Sequence, residues 1–200
     1  MRQALGHGAF RTARDAARAA RLDLPRLRAE LVHLEERVVP ADAAVAFCHN
    51  DLLAANVMRH PTTGRAQLID FEYGGTNYVA FDIANHFNEF AGGTTSEEDG
   101  VPDYSLYPGA ARQEAFVRAY VRAAGGGEGA DAAGADGEAA RARALLEEVR
   151  AFVPANHLYW GLWAINQAAA EGCDDFDYLT YAEHRFGEYY KVKERNFQCL

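Results

Sequence analysis

The amino-acid sequence predicts an α+β fold that is mostly α-helical. Two short apolar runs, Val45–Cys48 and Ala66–Ile69, have the length and the polar flanks typical of β-strands. Longer segments carry apolar or aromatic residues at helical spacing, and they account for most of the remaining chain. A length of 200 residues and a hydrophobic content of 49% suit one domain with a sizeable core.

Helices are predicted on both sides of the two strands. Ala13–Ala20 is rich in alanine, and four leucines from Leu24 to Leu34 recur at three- and four-residue steps before Pro40. Gly74–Asn77 is expected to be a loop, and Pro154 is expected to open a new helix. The downstream helices are predicted at Phe81–Phe90, Gln113–Ala123, Arg141–Phe152, Ala155–Glu171 and Asp174–Lys193.

Two segments differ in composition from the rest of the chain. Residues 1–30 are helical and basic, with an arginine content that also occurs in organelle transit peptides. Asp15, Asp23 and the lack of serine favour a solvent-exposed helix face instead. Residues 31–200 are expected to form one lobe. It is interrupted at 125–140 by a Gly/Ala-rich insertion, predicted to be disordered because it has little apolar surface to bury.

Charge and cysteine usage exclude several classes of protein. A formal net charge of −9 argues against a general nucleic-acid binder, because no net positive field attracts phosphates. The three cysteines, Cys48, Cys173 and Cys199, show no C-x-x-C spacing and are expected to be reduced thiols in a cytoplasmic protein, with Cys48 in the core. No apolar run is long enough to span a bilayer.

Polar residues follow each predicted strand at spacings that suit phosphoryl transfer. His49, Asp51 and Asn56 form an H-x-D-x-x-x-x-N pattern after the first strand, and Asp70-Phe71 follows the second. Asp51 is the candidate base for an attacking hydroxyl, and oxygens of Asn56 and Asp70 are candidate Mg²⁺ ligands. Asp51 or Asn56 taken alone is better explained by turn formation, which both residue types favour. The ordered set, with an apolar strand before each part, favours the functional interpretation.

Other residues are candidates for supporting this site or for binding its substrate. Asp82, at a predicted helix start, can cap that helix or accept hydrogen bonds from the loop that carries Asp51. His86 is expected to be a hydrogen-bonded structural histidine. Trp160 and Trp163 share a helix face, and with tyrosine and phenylalanine from the next helix they either pack as core or line a pocket for a cation.

Five segments carry several motifs in a defined order: FCHNDLLAANVM, LIDFEYGGTNYVAFDIANHFNEFAG, DYSLYP, HLYWGLWAINQA and FDYLTYAEHRFGEYYKVK. On these segments, the sequence from Leu31 to the C-terminus resembles the choline/ethanolamine kinase family, and most of all its ethanolamine kinase branch. Choline kinases usually carry a tryptophan where Phe90 stands.

The resemblance implies the C-terminal lobe of a protein-kinase-like fold, with short β-hairpins carrying the catalytic and metal loops. It implies ATP- and Mg²⁺-dependent phosphorylation of ethanolamine, the first step of the CDP-ethanolamine route in phosphatidylethanolamine biosynthesis. The roles it implies are a catalytic base at Asp51, Mg²⁺ ligands at Asn56 and Asp70, Glu72 beside the metal, loop support by His49 and Asp82, and an amino-alcohol pocket of Glu89, Trp160, Trp163, Phe176 and Tyr181.

The N-terminal part departs from the family pattern. No G-x-G-x-x-G loop is found, and the lysines, Lys191 and Lys193, lie far from where a nucleotide-gripping lysine is expected. The chain is therefore expected to be the C-terminal lobe alone. Three alternatives remain open: a preference for choline, dual specificity, and a non-catalytic fragment that acts as a binding or regulatory partner. A homodimer is also left open.

Overall fold

The computed structural model describes residues 10–94, 99–125 and 134–197, which divide into two compact units. The helical unit takes the described residues of Met1–Val39, Ala91–Leu106 and Val153–Leu200. The mixed unit takes those of Pro40–Phe90 and Tyr107–Phe152. Helices predominate and the strands are short and antiparallel, so the predicted α+β class is confirmed.

The strands lie in the first half of the chain, and helices precede and follow them. The α-helices are α1 (Ala13–Ala19), α2 (Leu24–His33), α3 (Val79–Asn88), α4 (Ala110–Ala124), α5 (Gly134–Glu171) and α6 (Tyr178–Phe197). The strands are β1 (Val45–Cys48), β2 (Val57–Arg59), β3 (Ala66–Leu68) and β4 (Gly75–Tyr78). A π-helical turn at Leu34–Val38 extends α2, and 3-10 turns lie at Ala54–Asn56, Glu89–Ala91 and Tyr104–Leu106.

In the helical unit, the first two helices pack on the last two. Ala19 of α1 is buried with Ala168 of α5 and Leu179 of α6. The predicted leucine stripe of α2 is confirmed, since Leu27 and Leu31 are buried and the helix ends before Pro40. Small residues on α1 allow this close packing of helix backbones.

A second contact in the helical unit joins α2 and α6 through polar groups. The hydroxyl of Tyr189 donates to Oε2 of Glu30 over 2.6 Å, and the ammonium group of Lys193 pairs with the same oxygen. Glu30 and Tyr189 are 159 positions apart in the sequence, so this contact joins two helices from distant parts of the chain.

Glycine permits the close approach of α5 and α6. A Cβ atom at Gly161 would lie 2.4 Å from the Phe186 ring, which leaves no room for any side chain. The conformational entropy that glycine costs a helix, about 0.5–1 kcal/mol, is offset here by ring packing against the α5 backbone.

The strands of the mixed unit form two separate antiparallel pairs, and one polar loop follows a strand of each pair. β1 pairs antiparallel with β4, with Cys48 opposite Gly75, so the end of β1 lies beside the start of β4. β2 pairs with β3, with Val57 opposite Leu68. The prediction of a loop at Gly74–Asn77 is wrong for Gly75–Asn77, because these residues hydrogen-bond to β1 although they lack an apolar pattern.

Two further expectations about helices are corrected by α5. Pro154 lies inside this helix instead of opening a new one, and its neighbours Val153 and Ala155 are buried. Burial on both sides offsets the backbone hydrogen bond that proline removes. The disorder predicted at 125–140 is wrong for 134–140, which are helical. Residues 126–133 lie outside the described residues.

Cysteine placement follows the prediction where the structure describes it. Cys48 and Cys173 are free thiols, Cys48 is buried, and burial raises its pKa to about 11. Cys199 lies outside the described residues, as does the start of the Arg-rich segment, residues 1–9. Among the described helices, none combines the length and apolar character needed to cross a bilayer.

Candidate active site

The loop that carries Asp51 is held by a carboxylate on α3. Oδ2 of Asp82 accepts from the backbone N–H of His49 over 2.9 Å, and Oδ1 accepts from that of Asn50 over 2.7 Å. Asp82 lies in the first turn of α3, which follows β4 directly, and β4 is paired with the strand that leads into the loop. Of the two roles considered from sequence, the structure thus places Asp82 at the loop backbone.

His49 joins the two polar loops. Its Nδ1 accepts from the backbone N–H of Asp51 over 3.3 Å, so its Nε2 carries the hydrogen and donates to the carbonyl of Ile69 over 2.8 Å. The ring is 4% exposed and packs on Phe71 at 4.6 Å between centroids. A buried imidazole therefore bridges the backbone of Asp51 and that of Ile69, the residue before Asp70.

Both polar loops contain a non-glycine residue in the left-handed region. Asn50 has a φ of 66° and Asp70 a φ of 62°. A non-glycine residue with this backbone conformation costs on the order of 1 kcal/mol of folding free energy. It persists where hydrogen bonds and packing hold the backbone in place. Asn50 is fixed by hydrogen bonds from its Nδ2 to the carbonyl of Tyr73 and from Asn77 Nδ2 to its Oδ1.

The structure brings Asp51 and Asn56 into direct contact. Asn56, which is 7% exposed, donates from Nδ2 to the Asp51 carbonyl over 2.8 Å and to its Oδ2 over 3.1 Å. Burial raises the pKa of the Asp51 carboxyl above its usual value. The negative charges of Asp70 and Glu72 raise this pKa further, while His49 and the Asn56 hydrogen bond oppose the rise.

Asn56 and Asp70 lie at adjacent ends of the β2–β3 pair. The backbone N–H of Ile69 donates to the carbonyl of Asn56 over 3.0 Å. An amide oxygen and a carboxylate are hard ligands of the kind Mg²⁺ takes, with water and phosphate oxygens completing its shell. Within residues 10–94, 99–125 and 134–197 no group of three or more His, Cys, Asp or Glu side chains could hold a metal. Asn56 and Asp70 would supply two of the six positions around Mg²⁺.

Two polar residues of this site were not identified from the sequence. Asn50 and Asn77 form the hydrogen-bonded link that closes the loop against β4. The only sequence signal for Asn50 is its position between His49 and Asp51, where a left-handed residue is tolerated. His86, expected to be structural, hydrogen-bonds the carbonyl of Leu52 over 2.9 Å through Nδ1.

Aromatic residues of the helical unit form a continuous series of ring contacts. Trp160 contacts Trp163 at 5.2 Å between centroids, and Trp163 contacts Tyr178 at 5.7 Å. Tyr178 contacts Phe176 at 4.9 Å, and Phe176 contacts Tyr181 at 6.0 Å. We call these five residues the aromatic cluster. Tyr178 was not among the pocket residues predicted from sequence, although it lies two positions from Phe176.

Exposure divides the aromatic cluster into two groups. Trp160 and Tyr181 are 4% and 2% exposed and belong to the core. Trp163, Phe176 and Tyr178 are half-buried, so part of each ring remains accessible. Core packing thus describes Trp160 and Tyr181, and a pocket lined by these rings stays a prediction.

Glu89 belongs to the mixed unit and the aromatic cluster to the helical unit. Glu89 is half-buried and begins the 3-10 turn Glu89–Ala91 that follows α3. Beside it, the Phe90 ring lies 5.7 Å from the guanidinium of Arg112. Glu89 and Asp82 are thus carried by the same helix and its end.

Comparisons with known proteins identify the family. A family model described as choline/ethanolamine kinase matches residues 7–190. Ethanolamine kinase 2 of Mus musculus is 42% identical over 174 residues, covering 86% of this chain and 41% of that protein. Ethanolamine kinase 1 of Homo sapiens is 40% identical, and the match covers 84% of this chain and 35% of that protein. Probable choline kinase 1 of Arabidopsis thaliana is 39% identical, and the match covers 84% of this chain and 45% of that protein.

Solved structures agree with this. An ethanolamine kinase of Plasmodium vivax aligns with a TM-score of 0.72 at 26% identity, covering 94% of this chain and 44% of that one. A choline kinase from Cryptosporidium parvum shares the fold, with a TM-score of 0.66 at 20% identity. The alignment covers 90% of this chain and 53% of that one. The chain spans less than half the length of the three relatives above. With the matched segment extending over most of its residues, this chain belongs to the choline/ethanolamine kinase family.

Proposed function

We propose that this chain is the catalytic lobe of an ethanolamine kinase, which transfers the γ-phosphate of ATP to the hydroxyl of ethanolamine. The contact between Asp51 and Asn56, at the edge where Asp70 follows β3, carries the proposal. It supports the proposal because the candidate base is hydrogen-bonded to one candidate metal ligand, Asn56, and feels the charge of the other, Asp70. The ethanolamine kinase relatives at 40–42% identity support the choice of substrate.

In the proposed reaction, the Asp51 carboxylate accepts the proton of the substrate hydroxyl. The hydroxyl oxygen then bonds to the γ-phosphorus, and the bond from that phosphorus to the bridging oxygen of ADP breaks. The products are O-phosphoethanolamine and ADP. The raised pKa of Asp51 makes the carboxylate a stronger base than an exposed aspartate, which favours this transfer.

Asn56 and Asp70 would hold Mg²⁺, which would neutralise charge on the nucleotide phosphates. Glu72, whose charge acts on Asp51, would lie near that metal. His49 and Asp82 would keep the loop in place through the contacts described above. Exposed rings at Phe47 and Phe71 lie 6.3 Å apart beside the loop and offer flat surfaces for the base of the nucleotide.

The substrate ammonium would be bound by ring faces of the helical unit. The accessible rings of Trp163 and Phe176, backed by Trp160 and Tyr181, would supply cation–π attraction. The pocket role that the family resemblance gives Glu89 stays a prediction. In a longer protein this reaction would begin phosphatidylethanolamine synthesis. A cytoplasmic location and a homodimer belong to the same proposal, and fractionation and sedimentation would test them.

A coupled assay tests the proposal, with ethanolamine and choline compared side by side in ATP and Mg²⁺. The expected result is turnover of ethanolamine that is lost in Asp51→Asn, which keeps size and hydrogen bonding but removes the base. Asp175→Asn, at an exposed position, is the matched control. Equal turnover by the Asp51→Asn variant would contradict the assignment of the base.

Choline is the second candidate substrate, because a probable choline kinase is 39% identical to this chain. Faster turnover of choline than of ethanolamine would replace the first proposal. Calorimetric titration with Mg-ATP separates nucleotide binding from turnover. A chain that binds no nucleotide would support the alternative of a non-catalytic binding or regulatory partner.

A further inference from the structure

The structure places a buried arginine beside the aromatic cluster. Arg185 of α6 is fully buried, and its Nη2 donates to Oδ1 of Asn156 on α5 over 2.7 Å. Its guanidinium carbon lies 5.5 Å from the centre of the Tyr181 ring. A buried charge is costly unless other groups hydrogen-bond it, so this placement needs a reason beyond packing.

Helix periodicity places Arg185 and Asn156 on the same helix faces as residues of the aromatic cluster. Tyr181 and Arg185 are four residues apart on α6, and Asn156, Trp160 and Trp163 follow at steps of four and three on α5. The hydrogen bond between Asn156 and Arg185 thus joins the two helix faces that carry the rings. A one-turn slip of either helix would break it, since a turn moves a residue about 5.4 Å.

The local charge comes from Arg185 and not from the neighbouring histidine. His157 is 1% exposed; burial, and then the charges of Arg185 and Arg195, lower its pKa well below the usual range. His157 is therefore neutral at neutral pH. Arg185 keeps its charge at any pH a protein survives.

We propose that Arg185 is a positioning residue for the binding of a small organic ammonium ion by the aromatic cluster. Its bond to Asn156 fixes α5 against α6, and its guanidinium holds the Tyr181 ring. Because a cation already lies by Tyr181, which is 2% exposed, the substrate ammonium contacts the accessible rings of Trp163, Phe176 and Tyr178 instead. This inference rests on the proposed function of the cluster.

The test uses the two tryptophans of the chain, both of which lie in the cluster. Tryptophan fluorescence during titration with ethanolamine measures binding, and near-ultraviolet circular dichroism measures ring packing. Arg185→Lys keeps the positive charge but loses the planar guanidinium group and its fixed set of N–H donors. The expected result is about tenfold weaker ethanolamine binding, an effect of ordinary size for one such contact. The KM for ATP is expected to stay unchanged, and the dichroism of the rings to change.

Two further variants keep the test decisive if Arg185→Lys fails to fold. Asn156→Ala removes the acceptor from the other helix and should weaken binding in the same direction. Asn156→Asp keeps an oxygen acceptor and should bind ethanolamine more tightly than Asn156→Ala. The matched control is Arg26→Lys, since Arg26 also lies over a tyrosine, Tyr190 at 4.3 Å, but outside the cluster.

The outcomes separate this inference from the proposed function. If the parent chain responds to ethanolamine and Arg185→Lys binds it equally well, the positioning role is wrong. If the parent shows no response, the proposed function of the cluster fails, and with it the ammonium-binding role of Arg185. Changed ring dichroism in Arg185→Lys together with weakened binding, and neither effect in Arg26→Lys, supports the inference.

Discussion

Asn56 donates its side-chain amide both to the backbone carbonyl of Asp51 and to its carboxylate. One amide group therefore orients the candidate base and stabilises its ionised form. In the proposed function, the amide oxygen of the same residue would be a ligand of the metal. A substitution of Asn56 would thus affect both the titration of Asp51 and the binding of the metal. Titration of Asp51 in metal-free buffer measures the first effect alone.

Replacing Asn56 with alanine should raise the pKa of Asp51. The lost hydrogen bond favoured the carboxylate, so its removal makes protonation easier while burial and the nearby carboxylates still act. Carboxyl carbon NMR over a pH series, in metal-free buffer, measures this directly. Asp103, whose pKa is lowered by hydrogen bonds from Ser105, is an internal reference that should not move. A lower pKa of Asp51 in the variant would contradict the geometry.

Replacing Glu72 with glutamine should shift the same pKa in the opposite direction. The negative charge of Glu72 disfavours ionisation of Asp51, so neutralising it lowers the pKa of Asp51. The base then stays ionised to lower pH, and the acid limb of kcat/KM for phosphorylation should move to lower pH as well. Glu147→Gln, at an exposed ion pair with Arg150, is the control. An unmoved acid limb together with an unmoved NMR pKa would rule out the coupling.

The two tryptophans should respond differently to truncation. Trp160 is 4% exposed, so Trp160→Ala should cost about 3–5 kcal/mol of unfolding free energy. Trp163 is half-buried, so Trp163→Ala should cost less stability and act mainly on ethanolamine binding. Urea denaturation and an ethanolamine titration on both variants measure the two effects. If both lose the same stability and neither changes binding, the cluster serves only as core.

Acid should weaken the contact between α2 and α6. Burial opposes ionisation of Glu30, but hydrogen bonds from Lys193 and Tyr189 bring its pKa below the usual value. Because the folded pKa is depressed, this stabilisation is present above the unfolded pKa and is lost as the pH falls through the folded one. Glu30→Gln should therefore lose about 1 kcal/mol of unfolding free energy at neutral pH, and the loss should shrink in acid.

Urea denaturation at a series of pH values tests this, with Glu114→Gln as the matched control. Glu114 pairs with Arg118 on the exposed face of α4, where ion pairs contribute little. A deficit in Glu30→Gln that stayed the same from neutral to acid pH would show that its charge is unimportant.

Local patterns in the sequence predicted the helices and β1 well, but they missed features that depend on distant partners. β4 has no apolar alternation and is a strand only because β1, some thirty residues earlier, pairs with it. Pro154 would end an isolated helix, yet buried neighbours carry α5 through it. Such tertiary contacts outweigh the helix and strand propensities of the residues involved, and the local sequence carries no signal of them.

In the candidate site, too, local sequence predicted some features, and others depend on residues far away in the chain. The spacing of His49, Asp51 and Asn56 and the strand before Asp70 were sufficient to predict which residues meet. The partners of Asn50, and the guanidinium of Arg185 against Tyr181, depend on pairing between segments far apart in the chain. Resemblance to a family supplied the roles of the aromatic residues, which composition alone would assign to the core.

The left-handed backbone at position 70 limits what a designer can place there. Glycine, asparagine and aspartate tolerate a φ of 62°, whereas glutamate does not adopt it readily. A negative charge at the end of β3 requires aspartate or glutamate. Of the twenty amino acids only aspartate meets both demands. Library diversification of this loop should therefore hold position 70 fixed, and retained activity in a glutamate variant would imply that the loop had refolded.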